Sequence, residues 1–158
     1  MKLDKKFALV ALVALAGSAV AAESAYDFVA CTHGKGTPIE ANGDIVAYAV
    51  EGWGVVATST TKDWENASTH CVGYMRVIAG NRVGKGVCKW AQAGGDTAVG
   101  EFEFPQTGEP SWTWLSGTGK LKGIKGVGTF RELFDAKPVD PPTSQGCRRD
   151  WGKYMLPQ

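Results

Sequence analysis

The chain has 158 residues, with 17 Lys and Arg against 16 Asp and Glu, and a formal net charge of +1. A near-neutral chain without a basic block lacks the electrostatic footprint of a protein that binds nucleic acid or an anionic membrane surface. Its 21 glycines and six tryptophans, with few long helix-forming stretches, favour an all-β protein.

Residues 1–22 are typical of a secretory signal peptide. Three lysines lie among the first six residues, the apolar run 7–16 is too short to span a bilayer, and small residues follow it. The small-x-small pattern predicts cleavage just before Ala22 or Glu23. A retained membrane anchor is the alternative, and no second apolar segment supports it.

We therefore expect the protein to be exported from the cytoplasm. The short, Ala-rich signal looks bacterial, so the periplasm or the medium is the expected destination, with no membrane span after processing. The mature chain, residues 23–158, has a length that suits a single domain. Removal of three lysines and one aspartate leaves 14 basic and 15 acidic residues.

The first part of the mature chain predicts two strands and a loop. Residues 23–42 have mixed character with two glycines and a proline, which favours a short strand followed by an irregular loop. Residues 44–58 are rich in β-forming side chains, with glycines near the middle that predict a bend or bulge. The polar residues 60–68 predict a loop in which Trp64 serves as a lid or an anchor.

A hairpin and an alternating strand follow. Residues 71–79 and 82–91 predict a hairpin whose turn is Gly80-Asn81. In residues 98–104, apolar and acidic side chains alternate and so occupy opposite faces of a strand. The alternating residues are Phe102 and Phe104 on one face, Glu101 and Glu103 on the other.

The segment 112–130 combines two tryptophans and a strand-like run with five glycines. Glycines in such a run suggest the bends and bulges by which a sheet curls into a barrel. We expect strands at 112–115 and 120–134, an extended Pro-rich segment at 136–145, and a final strand at 147–156. Seven or eight short strands predict a sandwich or a closed barrel, and a closed antiparallel barrel of about eight strands is favoured because closure removes exposed edges.

Four cysteines remain after processing, and an even number in an oxidising compartment predicts disulfides. Four cysteines permit three pairings. The predicted hairpin brings Cys71 near Cys88 across neighbouring strands, which leaves Cys31 with Cys147 at the two ends of the mature chain. We favour this pairing.

The alternative is that the thiols stay free and bind a metal. Cys31-x-His33 and His70-Cys71 combine soft thiolates with imidazoles, which suits copper or zinc. The spacing matches no standard metal signature, and disulfides would remove the thiolates, so no metal is expected.

A nucleotide cofactor is not expected either. The Gly-Thr-Gly-Lys of residues 117–120 lacks a glycine five positions before Gly119, where Trp114 stands, and Leu121 follows the lysine where a phosphate loop needs Ser or Thr. The dinucleotide fingerprint fails at Lys122. Glycine kinks in a curved strand explain this segment better.

Two segments together resemble a known family. Residues 84–90 (Gly-Lys-Gly-Val-Cys-Lys-Trp), a Gly-Gly-Asp turn, and the glycine-rich residues 114–129 are similar to small secreted bacterial proteins of the allene oxide cyclase-like and dirigent-like barrel group. The resemblance covers roughly residues 70–131 and rests mainly on the glycines. It implies an eight-stranded calycin-type barrel, often a homo-oligomer, with a cavity for a small apolar or aromatic molecule. Members cyclise an unstable oxygenated lipid or steer the coupling of phenolic radicals.

The candidates for catalysis are His70, Glu101 and Glu103. His70 is predicted on or beside a barrel strand, and a histidine side chain can serve as a general acid or base near neutral pH. With Glu101 or Glu103 facing inward, it would move a proton in a dry cavity. The alternative places His70 on the surface and both glutamates in water, as happens when Phe102 and Phe104 fill the core.

The aromatic side chains carry the case for ligand binding, because a cavity walled by indole and phenol rings suits planar or apolar ligands. The alternative is that most of them fill the core. The candidate ligand-binding residues are Tyr48, Trp53, Tyr74, Trp90, Trp112 and Trp114.

The sequence thus predicts an exported barrel that binds a small apolar or aromatic molecule, with neither cofactor nor metal. The first alternative is a cofactor-free cyclase or isomerase in which confinement and one proton-transfer group suffice. The second is a structural envelope protein whose barrel is filled with side chains.

Overall fold

The computed structural model describes residues 22–42, 45–140 and 142–157. Residues 1–21, which make up nearly all of the predicted signal peptide, lie outside the described residues. Within the described ranges, no helix is both long enough and apolar enough to cross a membrane.

The described residues form eight antiparallel strands that close into a barrel in chain order, with β8 paired to β1. A 3-10 helix, Gly119–Leu121, lies between β6 and β7. The prediction of an all-β closed barrel of about eight strands is confirmed. The strands are β1 Ala22–Asn42, β2 Ile45–Ser59, β3 Ser68–Ile78, β4 Asn81–Ala91, β5 Thr97–Phe104, β6 Ser111–Gly117, β7 Lys125–Ala136 and β8 Thr143–Leu156.

The first strand is longer than the sequence predicted. β1 continues through residues 34–42, where we expected an irregular loop, and pairs with β2 as far as Asn42. Proline has no N–H to donate to a sheet, so within strands it is tolerated at bulges. Pro38 lies at such a place, since the register shifts between Pro38 and Glu40. The strand therefore accommodates the proline instead of ending at it.

The predicted strand 120–134 begins later than expected, at Lys125. Gly119 and Gly123 have φ angles of 53° and 77°, which belong to the left-handed region and do not occur in a strand. The chain turns at these glycines through the 3-10 helix. That turn places Leu121 and Ile124 in the core, at 2% and 0% exposure.

One end of the barrel, the closed end, carries the β2–β3, β4–β5 and β6–β7 connections. The interior there is packed with rings that we call the aromatic cluster. Trp64, on the β2–β3 connection, has no exposed surface and stacks on Trp114 with ring centroids 4.8 Å apart. It closes this end of the barrel as an anchor. The aromatic cluster consists of Tyr26, Phe28, Trp64, Trp90, Trp112, Trp114 and Tyr154.

Both predicted disulfides are confirmed. Cys31–Cys147 joins β1 to β8, Cys71–Cys88 joins β3 to β4, and each pair lies directly opposite in the strand register. The first spans 116 residues, for which the chain-entropy model gives a stabilisation of about 4–5 kcal/mol. Two disulfides indicate an oxidising compartment. The alternative metal site would combine Cys31 and Cys71 with His33 and His70. It has no thiolates, because both of these cysteines are in disulfides.

Trp64 provides a test of the closed end. Replacing it with alanine removes a fully buried indole, so Trp64→Ala should lower the free energy of unfolding by about 3–5 kcal/mol. Trp53→Ala is the matched control because Trp53 is 43% exposed, and it should cost less than about 1 kcal/mol. Denaturant unfolding followed by far-UV circular dichroism measures both. Equal losses would show that Trp64 does not anchor this end.

Candidate functional site

The opposite end of the barrel, the open end, carries the β1–β2, β3–β4, β5–β6 and β7–β8 connections and encloses a cavity of about 550 Å³. Sites for small organic ligands commonly measure about 300–1,000 Å³. The wall is largely apolar and aromatic, which suits a ligand with a hydrophobic body. The side chains that make this wall are Tyr48, Val50, Met75, Phe102, Phe104 and Phe130.

The cavity stays open because rings on its wall lie against glycines of the neighbouring strands. A Cβ at Gly86 would come within 2.5 Å of the Phe102 ring, so this ring packs against β4 at a place that only a glycine leaves open. A Cβ at Gly36 would likewise meet the Tyr48 ring at 3.1 Å. Rings held against the wall leave the middle of the barrel free.

The floor of the cavity is formed by a charged side chain, Arg148, which projects inward from β8. Its Nε donates a hydrogen bond to Asp150 Oδ2 at 3.1 Å, and the two side chains are 15% and 3% exposed. Asp150 lies one inward position deeper, beside the aromatic cluster. The guanidinium carbon lies 5.0 Å from the Phe130 ring centroid and 5.9 Å from that of Trp90, within the range of cation–π contact.

The surroundings of this ion pair are poorly solvated. Burial raises the pKa of the Asp150 carboxyl, and the charge and hydrogen bond of Arg148 offset only part of that effect. Burial also raises the pKa of the Tyr26 hydroxyl, and the negative charge of Asp150 raises it further. An ionised ligand group at this depth would meet little water and strong electrostatic interactions.

A cluster of three charged side chains spans the mouth of the cavity. Arg82, near the start of β4, contacts Glu132 and donates a hydrogen bond to Asp135 Oδ2 at 3.1 Å. Both carboxylates belong to β7, which is separated from β4 by two strands in the barrel. The three side chains are exposed at 43–58%, so water screens their charges.

The predicted catalytic histidine lies outside the barrel. His70 is exposed on the outer face of β3, where its Nε2 is 3.0 Å from Glu51 Oε1. Its ring stacks on that of Trp53, with centroids 5.2 Å apart. In this position the imidazole does not reach the cavity.

The two predicted glutamates also lie on the outer face. Lys85 Nζ is 3.2 Å from Glu101 Oε1 and 3.6 Å from Glu103 Oε2. Phe102 and Phe104 take the inward positions of β5, so the interpretation in which both glutamates face water holds. The arrangement in which Glu101 or Glu103 faces inward beside His70 is absent from the described residues.

The predicted ligand-binding aromatics divide among three environments. Tyr48 lines the cavity. Trp90, Trp112 and Trp114 are buried in the aromatic cluster at 1–2% exposure and fill the core. Trp53 and Tyr74 lie on the outer face and are 43% and 48% exposed. Only one of the six therefore lines the cavity.

Sequence reasoning missed the phenylalanine wall and Arg148. Phe102 and Phe104 gave a usable signal, because a pair of rings on one face of a predicted strand belongs to a barrel interior. Arg148 gave no usable signal, since it is adjacent to Arg149 in the sequence and alternation alone does not tell which of the two side chains faces inward.

Comparisons of this chain with protein-family models, curated proteins and solved structures found no match. The resemblance to the allene oxide cyclase-like and dirigent-like group stays a prediction. The site is defined by its own geometry, an apolar cavity with an arginine at its floor and a charged cluster across its mouth.

The raised pKa of Asp150 predicts a pH dependence of stability. A group whose pKa is higher in the folded chain stabilises the fold most below its unfolded pKa, about 3.9, and this contribution disappears as the pH rises through the folded pKa. We expect the free energy of unfolding of the native protein, relative to Asp150→Asn, to fall as the pH rises from about 4 towards neutrality.

Denaturant unfolding of both proteins at a series of pH values measures this difference. If the stability of the native protein relative to Asp150→Asn instead increases with pH, Arg148 holds the pKa of Asp150 below its ordinary value. The charge of Arg148 then has a larger effect on this pKa than burial has.

Proposed function

We propose that this protein binds a small apolar or aromatic molecule in the cavity at the open end of its barrel. The observation that carries the proposal is an interior space of about 550 Å³ walled by aromatic and aliphatic side chains. Covering this wall with a ligand removes apolar surface from water, which is favourable by about 25 cal/mol per Å².

The division of the interior supports ligand binding over a purely structural role. The aromatic cluster at the closed end already supplies a tightly packed core, with all seven of its side chains at 3% exposure or less. A barrel with only a structural role gains stability by filling its remaining half as well. The open half instead keeps its rings against the wall.

Binding is also favoured over a cyclase or isomerase. Such an enzyme needs a proton-transfer group that touches the ligand. His70, Glu101 and Glu103 lie on the outer face, and Asp150 does not line the cavity. The carboxylates Glu132 and Asp135 do border it, but they lie at its water-exposed mouth and are paired with Arg82. The geometry therefore supports holding a molecule better than converting it.

The compartment that we propose is the periplasm or the extracellular medium. The two disulfides agree with an oxidising environment, and the signal-like residues 1–22 supply a route to it. A ligand of this protein is then a molecule met outside the cytoplasm.

Titration with N-phenyl-1-naphthylamine, an uncharged aromatic probe whose fluorescence rises in apolar surroundings, tests the proposed site. The native protein should show saturable binding. Val50→Trp places an indole in the cavity and should weaken binding at least about tenfold. Val55→Trp is the matched control on the same strand, since Val55 points outward and is 46% exposed, and it should change affinity less than about twofold.

Far-UV circular dichroism and intact disulfides establish that each variant folds. Phe104→Trp provides a second, smaller filling of the same cavity if Val50→Trp proves unstable. Unchanged probe affinity in a folded cavity-filling variant, or no saturable binding to the native protein, would remove the proposal.

A further inference from the structure

We propose that the ligand carries a carboxylate, which binds the guanidinium of Arg148 at the cavity floor while its apolar or aromatic body lies against the phenyl rings. This inference rests on the proposed function and narrows the class of ligand. It follows from the hydrogen-bond donors, the charge balance and the position of one arginine.

The donors of Arg148 are incompletely used. A guanidinium has five N–H donors and no acceptor. The Nε of Arg148 donates to Asp150, whereas its buried Nη2 has no hydrogen-bond partner among the described residues. A buried donor that belongs to a charged group is costly to leave without an acceptor. A carboxylate entering from the cavity meets the exposed part of the Arg148 side chain, which is 15% of it, and a planar carboxylate matches the planar fork of an arginine.

The charge of Arg148 is incompletely balanced as well. Asp150 contacts it through one nitrogen only, and Asp150 is not among the residues that line the cavity. Burial favours the neutral form of that carboxyl, which weakens the compensation further. The side of the guanidinium that faces the cavity therefore offers a positive charge to an incoming anion.

The guanidinium is also held in place before a ligand arrives. The rings of Phe130 and Trp90 lie within 6 Å of its central carbon, and the hydrogen bond to Asp150 fixes its orientation. A donor that is already ordered loses little conformational freedom on binding. Because the site lies in a poorly solvated interior, its attraction for an anion is stronger than that of a surface arginine.

The charges at the mouth do not cancel this attraction. Glu132 and Asp135 would repel an anion, but both are bound to Arg82 and exposed to water, which screens them. At the floor, a single guanidinium matches a single negative charge. A phosphate with two charges would leave one of them without a partner there, so a monocarboxylate fits best.

Two ligands with the same body separate the effect of the head group from that of the cavity. We would measure the dissociation constants of 2-naphthylacetate and 2-naphthylacetamide at pH 7 by displacement of N-phenyl-1-naphthylamine. The native protein should bind the acid at least about tenfold more tightly than the amide, equivalent to about 1.4 kcal/mol. In Arg148→Gln/Asp150→Asn, which removes both charges together, the two affinities should agree within about twofold.

The matched control is Asp27→Asn/Arg149→Gln. This pair lies on the outer face of the neighbouring strands β1 and β8. The double substitution removes one positive and one negative charge, as the Arg148/Asp150 variant does, but at residues that do not line the cavity. It should keep the preference for the acid. Arg148→Lys, which retains the charge and loses the fork, should reduce the preference at least about threefold and serves if the double variant does not fold.

The outcomes separate the carboxylate inference from the proposed function. If the native protein binds acid and amide equally, or if the folded Arg148 variants prefer the acid as strongly as the native protein does, the carboxylate inference is wrong and the apolar site stands. If neither naphthyl ligand nor the uncharged probe binds, the proposed function fails and the inference fails with it.

Discussion

The pairing of β1 with β8 is the contact on which the rest of the structure depends. It runs from Ala22 opposite Leu156 to Lys35 opposite Thr143, and the Cys31–Cys147 disulfide links the two strands within it. Without this ladder the sheet would have two open edges and no interior. With it, each strand has an inner and an outer face, and the alternation of side chains assigns every residue to one of them.

The interior is divided according to what each half contributes. The closed end holds interlocking rings with Trp64 inserted from outside the strands, and the open end holds rings spread along the wall. Arg148 and Asp150 lie at the boundary. A buried ion pair seldom stabilises a fold more than apolar side chains of the same volume, so stability alone gives little reason for its presence. Its position between packed core and hollow cavity fits a role towards a ligand.

The fold could be predicted from the sequence further than the site could. Turns, glycine kinks and cysteine spacing are local signals, and they were sufficient for the hairpin of β3 and β4, the closed barrel and both disulfides. The path of residues 34–42 and 119–124 was not predicted, because a bulge at Pro38 and the left-handed glycines 119 and 123 depend on neighbouring strands. The site requires knowing which face of each strand is inward. Phe102 and Glu103, or Arg148 and Arg149, exchange roles if the register slips by one residue.

The two disulfides differ in their surroundings. Cys71 and Cys147 both border the cavity, but Cys88 has no exposed surface, whereas Cys31 and Cys147 are half-buried between β1 and β8. A thiol reductant approaching Cys71 must travel through the same opening as a ligand, because the closed end is packed with rings. Occupancy of the barrel would therefore shield Cys71–Cys88 from reduction more than Cys31–Cys147, both of whose cysteines are partly exposed. In this way a bound molecule would protect the covalent link that helps to hold β3 and β4 around it.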